Sequence, residues 1–322
     1  MSSTRRQPIP RRLASGWLLI LLLAALLAEL LLGPTPALNP LLATRPPSAA
    51  HWLGTDPYGR DVLALCVGGA RSLLLVSLPA AALMSVLGLL LGAAAGWWGN
   101  RGPRLTCSDG LVALVALSLM GWQPPSWNWL PAASLLLLLA GGLRRLWPAQ
   151  PAWFLPLDAL LLSSTLLLGA LPRLVLVLAF CALGSPAPGL LVAVLTLTGW
   201  QATARLARSQ VRQLSVLGFI EAGRAQGFSA SRLLRYHVLP NSWPVLRAVL
   251  PLNLHTCLGL QTTLAFLGLG LPPEAADWGR LLALARLEPG AWWLVLFPLL
   301  ALAATSIALH TLLPAALNKE SN

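Results

Sequence analysis

Long apolar stretches alternate with shorter polar segments along this chain. A helix needs about 20 mostly apolar residues to cross the hydrocarbon core of a bilayer, and several stretches reach that length. The pattern therefore predicts an all-α, polytopic membrane protein with about eight spans, and six is the alternative count. The predicted spans are residues 17–33, 72–98, 105–123, 130–146, 157–184, 186–204, 244–270 and 291–313.

The polar segments between these spans define the predicted organisation. Residues 1–71 would hold the N-terminus, the first span and an outer polar segment, residues 72–313 a transmembrane domain, and residues 314–322 a tail. Inside the transmembrane domain, polar residues interrupt the spans at 205–243 on one side and at 271–290 on the other.

The composition agrees with a large surface facing lipid. Of the 322 residues, 57% are hydrophobic and 10% are charged, whereas a soluble domain carries roughly a quarter charged residues. Too few polar side chains remain to cover a soluble globule of this length.

The net charge of +12 is distributed unevenly along the chain. If the spans alternate in direction, sixteen of the twenty-two Lys and Arg residues fall on one side, five fall on the other, and Arg173 lies within a span. Cytoplasmic loops carry the excess of basic residues, so both termini and the segment 205–243 are predicted to be cytoplasmic. The basicity thus reports topology and does not indicate nucleic-acid binding. Residues 1–33 are interpreted as a retained span, because no small-residue cleavage site follows them.

The sequence contains no clear metal or nucleotide site. The four cysteines are isolated, without metal or redox spacing, and are interpreted as packing residues. His51, Asp56 and Asp61 form only a weak ligand set. There is no G-x-x-x-x-G-K-[ST] motif, so any energy from ATP must come through another subunit.

The cytoplasmic segment predicts a helix–turn–helix elbow. Helix formers precede Gly227, which has the backbone freedom for a sharp turn, and Ser229 is placed to cap a second short helix. Pro240 is expected to end that helix before the next span. Such an elbow, with Arg232 and Arg235 at its rim, can dock in a groove of a soluble partner. A basic loop on the anionic inner leaflet is the alternative that spacing leaves open.

The same segment resembles the signature of permease subunits in binding-protein-dependent ABC importers. That signature is Glu-Ala-Ala, three residues, Gly, nine residues, a hydrophobic residue, any residue, and Leu-Pro. Gly223 stands at the third position of the signature in place of Ala, and His237 stands at the hydrophobic position. The sequence His-x-Leu-Pro-Asn is common in the peptide-importer branch. The matching residues are Glu221, Ala222, Gly227, Leu239 and Pro240.

Two other stretches, 51–73 and 264–298, resemble the same branch, and the resemblance covers about 13–104 and 155–313. It is to the second permease of dipeptide, oligopeptide and nickel importers. It implies the type I ABC importer transmembrane fold with a six-span core, in which residues 105–155 form an inserted hairpin. Gln261 departs from the family, whose members often carry Glu there.

The resemblance implies a transport subunit rather than an enzyme, with no cofactor and no metal of its own. It would form half of a pathway for di- or oligopeptides in a bacterial inner membrane, and nickel or another small solute is the alternative cargo. The implied partners are ABC ATPase subunits that bind the ATP, a second permease subunit, an extracytoplasmic solute-binding protein and membrane lipid. The elbow at 221–241 would couple to the ATPase, and its candidate residues are Glu221, Ala222, Arg224, Gly227, Leu239 and Pro240.

Polar residues inside predicted spans are costly and therefore mark candidate functional positions. Arg173 is a candidate for lining the pathway, but pairing with Asp158 or with backbone carbonyls near Pro172 is at least as well favoured. His255 and His310 are expected to be buried and hydrogen-bonded, with the pathway as a further candidate role for His255.

Three other classes of function compete with this interpretation. A secondary transporter predicts inverted repeats and acidic residues at the membrane midplane, and neither occurs in the sequence. An intramembrane enzyme would need a catalytic cluster, which is also missing from the sequence. A scaffold without transport activity is disfavoured by the elbow motif.

Overall fold

The computed structural model describes residues 11–32, 38–100, 104–106, 152–182, 187–272 and 275–317. The predicted spans 105–123 and 130–146 fall outside these residues, apart from 105 and 106. The described helices are α1 (Arg11–Leu32), α2 (Val62–Ser72), α3 (Leu78–Trp98), α4 (Leu157–Gly169), α5 (Arg173–Cys181), α6 (Pro188–Leu197), α7 (Gln201–Ser215), α8 (Gly218–Ala225), α9 (Ala230–Leu233), α10 (Leu239–Leu246), α11 (Val249–Phe266), α12 (Trp278–Leu284) and α13 (Trp293–Leu317).

The predicted helical fold is confirmed, with one short exception. Strand β1 (Arg104–Thr106) pairs antiparallel with β2 (Ala152–Phe154), and Leu105 lies opposite Trp153. These strands stand at the two ends of the predicted insertion. The two ends of the predicted insertion are therefore adjacent, so a segment can be added between them without displacing the rest of the fold.

The longest helix runs without interruption from Val62 to Trp98. It comprises α2, a π-helical turn at Leu73–Ser77 and α3. It begins at Val62 rather than at residue 72 as predicted, because the Asp61 side chain accepts a hydrogen bond from the Leu63 N–H at 2.8 Å and caps the N-terminus.

Two predicted spans are bent. The helices α4 and α5 replace the span 157–184 and meet at 73°, because Pro172 cannot continue a helix and stands at the N-cap of α5. The helices α6 and α7 replace the span 186–204 and meet at 44°, and α7 continues to Ser215.

Among the described residues, two helices are long and apolar enough to cross a membrane, Val62–Trp98 and Trp293–Thr311, and each bent pair adds one more if it counts as a single span. The total of eight spans stays a prediction.

Among the described helices, α3 and α7 pack against each other most extensively. Gly88, Gly92 and Gly96 recur every four residues on α3, so they share one face. A Cβ at Gly88 would lie 2.7 Å from the Trp200 carbonyl oxygen, and one at Gly96 would lie 2.7 Å from that of Arg208. Small residues at this spacing let two membrane helices approach with their backbones nearly in contact. As a result, α3 and α7 form one closely packed unit.

Candidate coupling surface

The turn of the predicted elbow follows α8 and has the geometry of a Schellman motif. The Phe228 N–H donates to the Gly223 carbonyl at 3.0 Å, and the Gly227 N–H donates to the Arg224 carbonyl at 3.0 Å. Gly227 has φ +79°, a left-handed conformation that glycine adopts without steric cost. The prediction of a sharp turn at Gly227 is therefore confirmed.

The second arm begins at the predicted cap but does not end where predicted. Ser229 Oγ accepts a hydrogen bond from the Arg232 N–H at 3.3 Å. The helix then passes through a second π turn, Leu234–Val238, directly into α10. Pro240 lies in the first turn of α10, so the expectation that it ends the helix was wrong. The wider π turn accommodates the proline ring, which clashes with the carbonyl four residues back in a regular α-helix.

The elbow has a small apolar core of its own. Its buried members are Val211 of α7, Ile220 of α8, Leu233 of α9 and Val238 of the π turn. Gly223, which replaces the Ala of the family signature, makes this core compact, because a Cβ there would lie 2.6 Å from Leu233 Cδ2.

The elbow also packs against the C-terminal end of α3. Trp97 packs against the elbow core, and the Arg224 guanidinium lies 5.6 Å from the centre of the Trp97 ring, within the range of a cation–π contact. The elbow, the end of α3 and α7 are therefore packed together.

The outer surface of the elbow is apolar with a basic rim. Val216 and Tyr236 are 70% and 67% exposed, and Leu217 and Phe219 are exposed as well. Exposed apolar groups clustered with charged ones are typical of surfaces that bind another protein. Arg232 stacks on Phe228, with 4.5 Å from its guanidinium carbon to the ring centre.

The predicted coupling residues occupy two parts of this elbow. Glu221, Ala222 and Arg224 are exposed on α8, and Gly227 forms the turn. Leu239 and Pro240 begin α10 on the other arm. Their part in coupling stays a prediction.

Arg173 binds the end of a neighbouring helix. It is the first residue of α5, at the bend, and its Nη2 donates to the Leu195 carbonyl of α6 at 3.0 Å. A guanidinium is favoured there because the last carbonyls of a helix carry partial negative charge. A backbone carbonyl is therefore the partner, as one of the two predictions had it, but it belongs to Leu195 of α6 and not to the chain near Pro172.

Asp158 pairs with α7 instead of with Arg173. Arg208 Nη2 donates to Asp158 Oδ2 at 2.8 Å and Arg208 Nε donates to Oδ1, so the pair is bidentate. Arg212 Nη1 lies 3.6 Å from the same carboxylate. The predicted pairing of Asp158 with Arg173 was wrong, because the 73° bend between α4 and α5 places Arg173 beside α6.

His255 and His310 join α11 to α13. Their rings meet edge to face with centres 4.6 Å apart, and His255 Nδ1 lies 3.2 Å from Ser306 Oγ. His255 is partly buried, but His310 is exposed, so the expectation that both are buried was wrong. A pathway role for His255 or Arg173 stays a prediction.

Sequence reasoning missed a buried polar contact at the centre of the helices. Asn253 Nδ2 of α11 donates to Ser85 Oγ of α3 and to Thr203 Oγ1 of α7, each at 2.9 Å. A lone amide within an apolar stretch was the only signal for it. The contact fixes α11 to the unit formed by α3 and α7.

No group of three or more His, Cys, Asp or Glu residues that can hold a metal ion occurs in the described ranges. The outer segment shows why Asp56 is not available as a ligand. It accepts hydrogen bonds from the Tyr58 N–H at 2.9 Å, the Arg60 N–H at 2.8 Å and Arg60 Nε at 2.7 Å.

Apolar helices joined to a compact elbow with an exposed apolar face and a basic rim define a polytopic membrane protein. The chain belongs to the family described as binding-protein-dependent transport system inner membrane component, whose pattern matches residues 152–319. This is a family of transport subunits and not of enzymes.

Several relatives are similar over most of the chain. The dipeptide transport system permease protein of Bacillus subtilis (strain 168) is 27% identical over 307 residues, which are 94% of this chain and 79% of the relative. The oligopeptide transport system permease protein of the same organism is 29% identical over 245 residues, 76% and 62% of the two chains. A putative peptide transport system permease protein of Brucella suis biovar 1 (strain 1330) is 27% identical over 295 residues, 91% and 81% of the two chains.

Proposed function

We propose that this chain is the permease subunit of an ATP-driven importer for di- or oligopeptides and forms half of its translocation pathway. The peptide cargo is supported by the names of the three relatives above, each a peptide, dipeptide or oligopeptide permease. Nickel or another small solute is the alternative cargo, and no relative named above favours it. ATP would be bound by partner ATPase subunits, and the chain would need no cofactor or metal of its own.

The observation that carries the coupling role is the attachment of the elbow to α3 and α7. ATP binding would close the partner ATPase dimer and move the docked elbow. Because Ile220 and Leu233 share a core with Val211 of α7 and pack against Trp97 of α3, the motion would reach the membrane helices. Only a difference in the affinity of the partners for the two states can drive the shift.

The family of the chain supports the rest of the proposed assembly. A second permease subunit would complete the pathway, a solute-binding protein would dock on the outer side, and lipid of the inner membrane would surround the helices. The basic elbow and both termini would be cytoplasmic, with the transmembrane domain at 72–313 and the tail at 314–322. Glu221 in the first turn of α8 would anchor the elbow.

Purification of the chain in mild detergent from its host tests the assembly. We expect a second permease, ATPase subunits and ATP hydrolysis that a solute-binding protein stimulates. Recovery of the chain alone after gentle crosslinking would contradict the proposal and favour a scaffold.

Gly227 provides the test of coupling. Gly227→Pro would force φ from +79° to about −65° and distort the turn, so we expect an inserted chain whose complex hydrolyses ATP without uptake. Gly227→Asn is the matched control, because Asn tolerates the left-handed region. Normal uptake by the proline variant would refute the role of the turn.

A further inference from the structure

A fully buried carboxylate stands on the predicted outer side, away from the elbow. Asp277 is 5% exposed and caps the N-terminus of α12, where its Oδ1 accepts a hydrogen bond from the Gly279 N–H at 2.8 Å. Its Oδ2 accepts from Gln261 Nε2 of α11 at 2.8 Å. Ser72 Oγ of α2 lies 3.3 Å from the same oxygen and shares its one proton between Oδ2 and the Gly69 carbonyl, which is 3.0 Å away. One carboxylate therefore joins three helices.

The π turn at Leu73–Ser77 completes this cluster. Ser77 Oγ donates to Gln261 Oε1 at 2.6 Å, and Gln261 Nε2 also donates to Ser72 Oγ at 3.1 Å. Residues five apart point in different directions on an α-helix, but a π turn, with its i→i+5 bonds, brings them onto one side. The π turn thus lets Ser72 hydrogen-bond the N–H₂ group and Ser77 the C=O group of the Gln261 side chain.

The surrounding backbone leaves no room for α12 to shift. A Cβ at Gly69 of α2 would lie 2.5 Å from Trp278 Nε1, and one at Gly279 would lie 3.0 Å from Ala265 Cβ of α11. Trp278 Nε1 donates to the Cys66 carbonyl at 2.8 Å. The helix α12 is therefore closely packed between α2 and α11, and the polar cluster lies at this contact.

The Asp277 carboxyl is surrounded by neutral donors. Burial is the largest effect and raises the pKa of this carboxyl, and the hydrogen bonds from Gln261, Gly279 and Ser72 offset only part of that rise. Arg280 on α12 also lowers this pKa, while its own guanidinium donates to the Leu271 and Pro272 carbonyls. From α2 and α11, the side chains that hydrogen-bond the carboxylate are the neutral Ser72 and Gln261.

We propose that Asp277 is a positioning residue for transport. Through Gln261 and Ser72 it locks α12 to α11 and to the helix Val62–Trp98, and the lock holds the outer ends of these helices closed in the resting state. This role rests on the proposed importer function. If the lock is weakened, the outward-open state becomes easier to reach without a loaded binding protein, and ATP is hydrolysed without uptake.

The exchange of the carboxylate and the amide between positions 277 and 261 tests the lock. Asp277→Asn places an amide N–H₂ against the Gln261 amide and loses the hydrogen bond between these two side chains. For the complete complex in proteoliposomes, with labelled dialanine as cargo, we expect about tenfold less uptake per ATP and raised hydrolysis without binding protein, as the loss of a buried hydrogen bond implies. The double variant Asp277→Asn, Gln261→Glu restores the donor–acceptor pair and should restore the ratio.

The variant Gln261→Glu alone gives a pH signature that a general loss of packing would not give. It brings two buried carboxylates together, and such a pair retains one shared proton at low pH. We expect near-normal coupling at low pH, where the proton bridges the pair, and progressive uncoupling as the pH rises and the proton is lost. The double variant should lose this trend.

Asp56→Asn is the matched control. Asp56 is also fully buried, but the hydrogen bonds named above come only from its own segment, from Tyr58 and Arg60. This variant should change the amount of assembled complex and leave the uptake per ATP unchanged. Equal uncoupling by Asp56→Asn, or wild-type coupling in Asp277→Asn, would overturn the proposal.

Thermal unfolding of the purified chain separates this proposal from the importer function. We expect Gln261→Glu to lower Tm more at high pH than at low pH, and the double variant to recover it. A wild-type complex that moves no dialanine would contradict a dipeptide cargo, while the Tm pattern would still test the cluster. Recovery of Tm without recovery of coupling would overturn the positioning role.

Discussion

Gly92 is the position where a single added carbon should alter coupling most directly. A Cβ at Gly92 would lie 2.8 Å from Ala207 Cβ, and nearer still to the Ala204 carbonyl oxygen, whereas ordinary contact begins at 3.4 Å. The shortfall against Ala207 is 3.4 − 2.8 = 0.6 Å, so Gly92→Ala must move α7 away from α3 by at least that amount. Overpacking of this kind costs about 1–3 kcal/mol, and the better helix propensity of Ala offsets up to about 1 kcal/mol.

We expect Gly92→Ala to lower the stability of the complex by about 1–2 kcal/mol and to reduce uptake per ATP more than it reduces stability. The reason is that α7 leads through a two-residue connection into α8, the first helix of the elbow. Paired measurements of Tm and of uptake per hydrolysed ATP test this. Gly16→Ala on α1 is the control, since nothing lies within 4 Å of its added Cβ. Wild-type coupling in Gly92→Ala would refute the view that close contact of α3 and α7 transmits the motion of the elbow.

Two other contacts give sharper tests of stability. Removal of either partner of the Asp158–Arg208 pair should lower the free energy of unfolding by about 1–3 kcal/mol. The double variant Asp158→Asn, Arg208→Gln should lower it by less than the sum of the two single changes. Additive effects on Tm would contradict a direct interaction. Asn253→Leu leaves the hydroxyls of Ser85 and Thr203 without their shared donor and should lower stability by about 1–3 kcal/mol, measured by thermal unfolding in detergent. An unchanged Tm would show that the amide does not hold α11 to the other two helices.

Local features of the elbow were predictable because they depend on residues close together in the chain. Gly227 has the left-handed conformation that the turn requires, and Ser229 caps the next helix. Pro240 was misjudged because its effect depends on the helix before it, and a π turn at Leu234–Val238 is not visible in the apolar pattern. The partner of Arg173 was ambiguous in the sequence because it depends on the angle between α4 and α5.

The sequence by itself determined that this is a helical membrane protein and where the elbow turns. These properties follow from apolar length and from capping, which act over a few residues to one helix. Only the tertiary structure decided which polar groups meet. Asp277 and Ser72 are 205 residues apart in the chain, and Asn253 and Ser85 are 168 apart. Such pairs depend on how closely whole helices approach, and glycines such as Gly69 and Gly92 set that approach only against a particular neighbour.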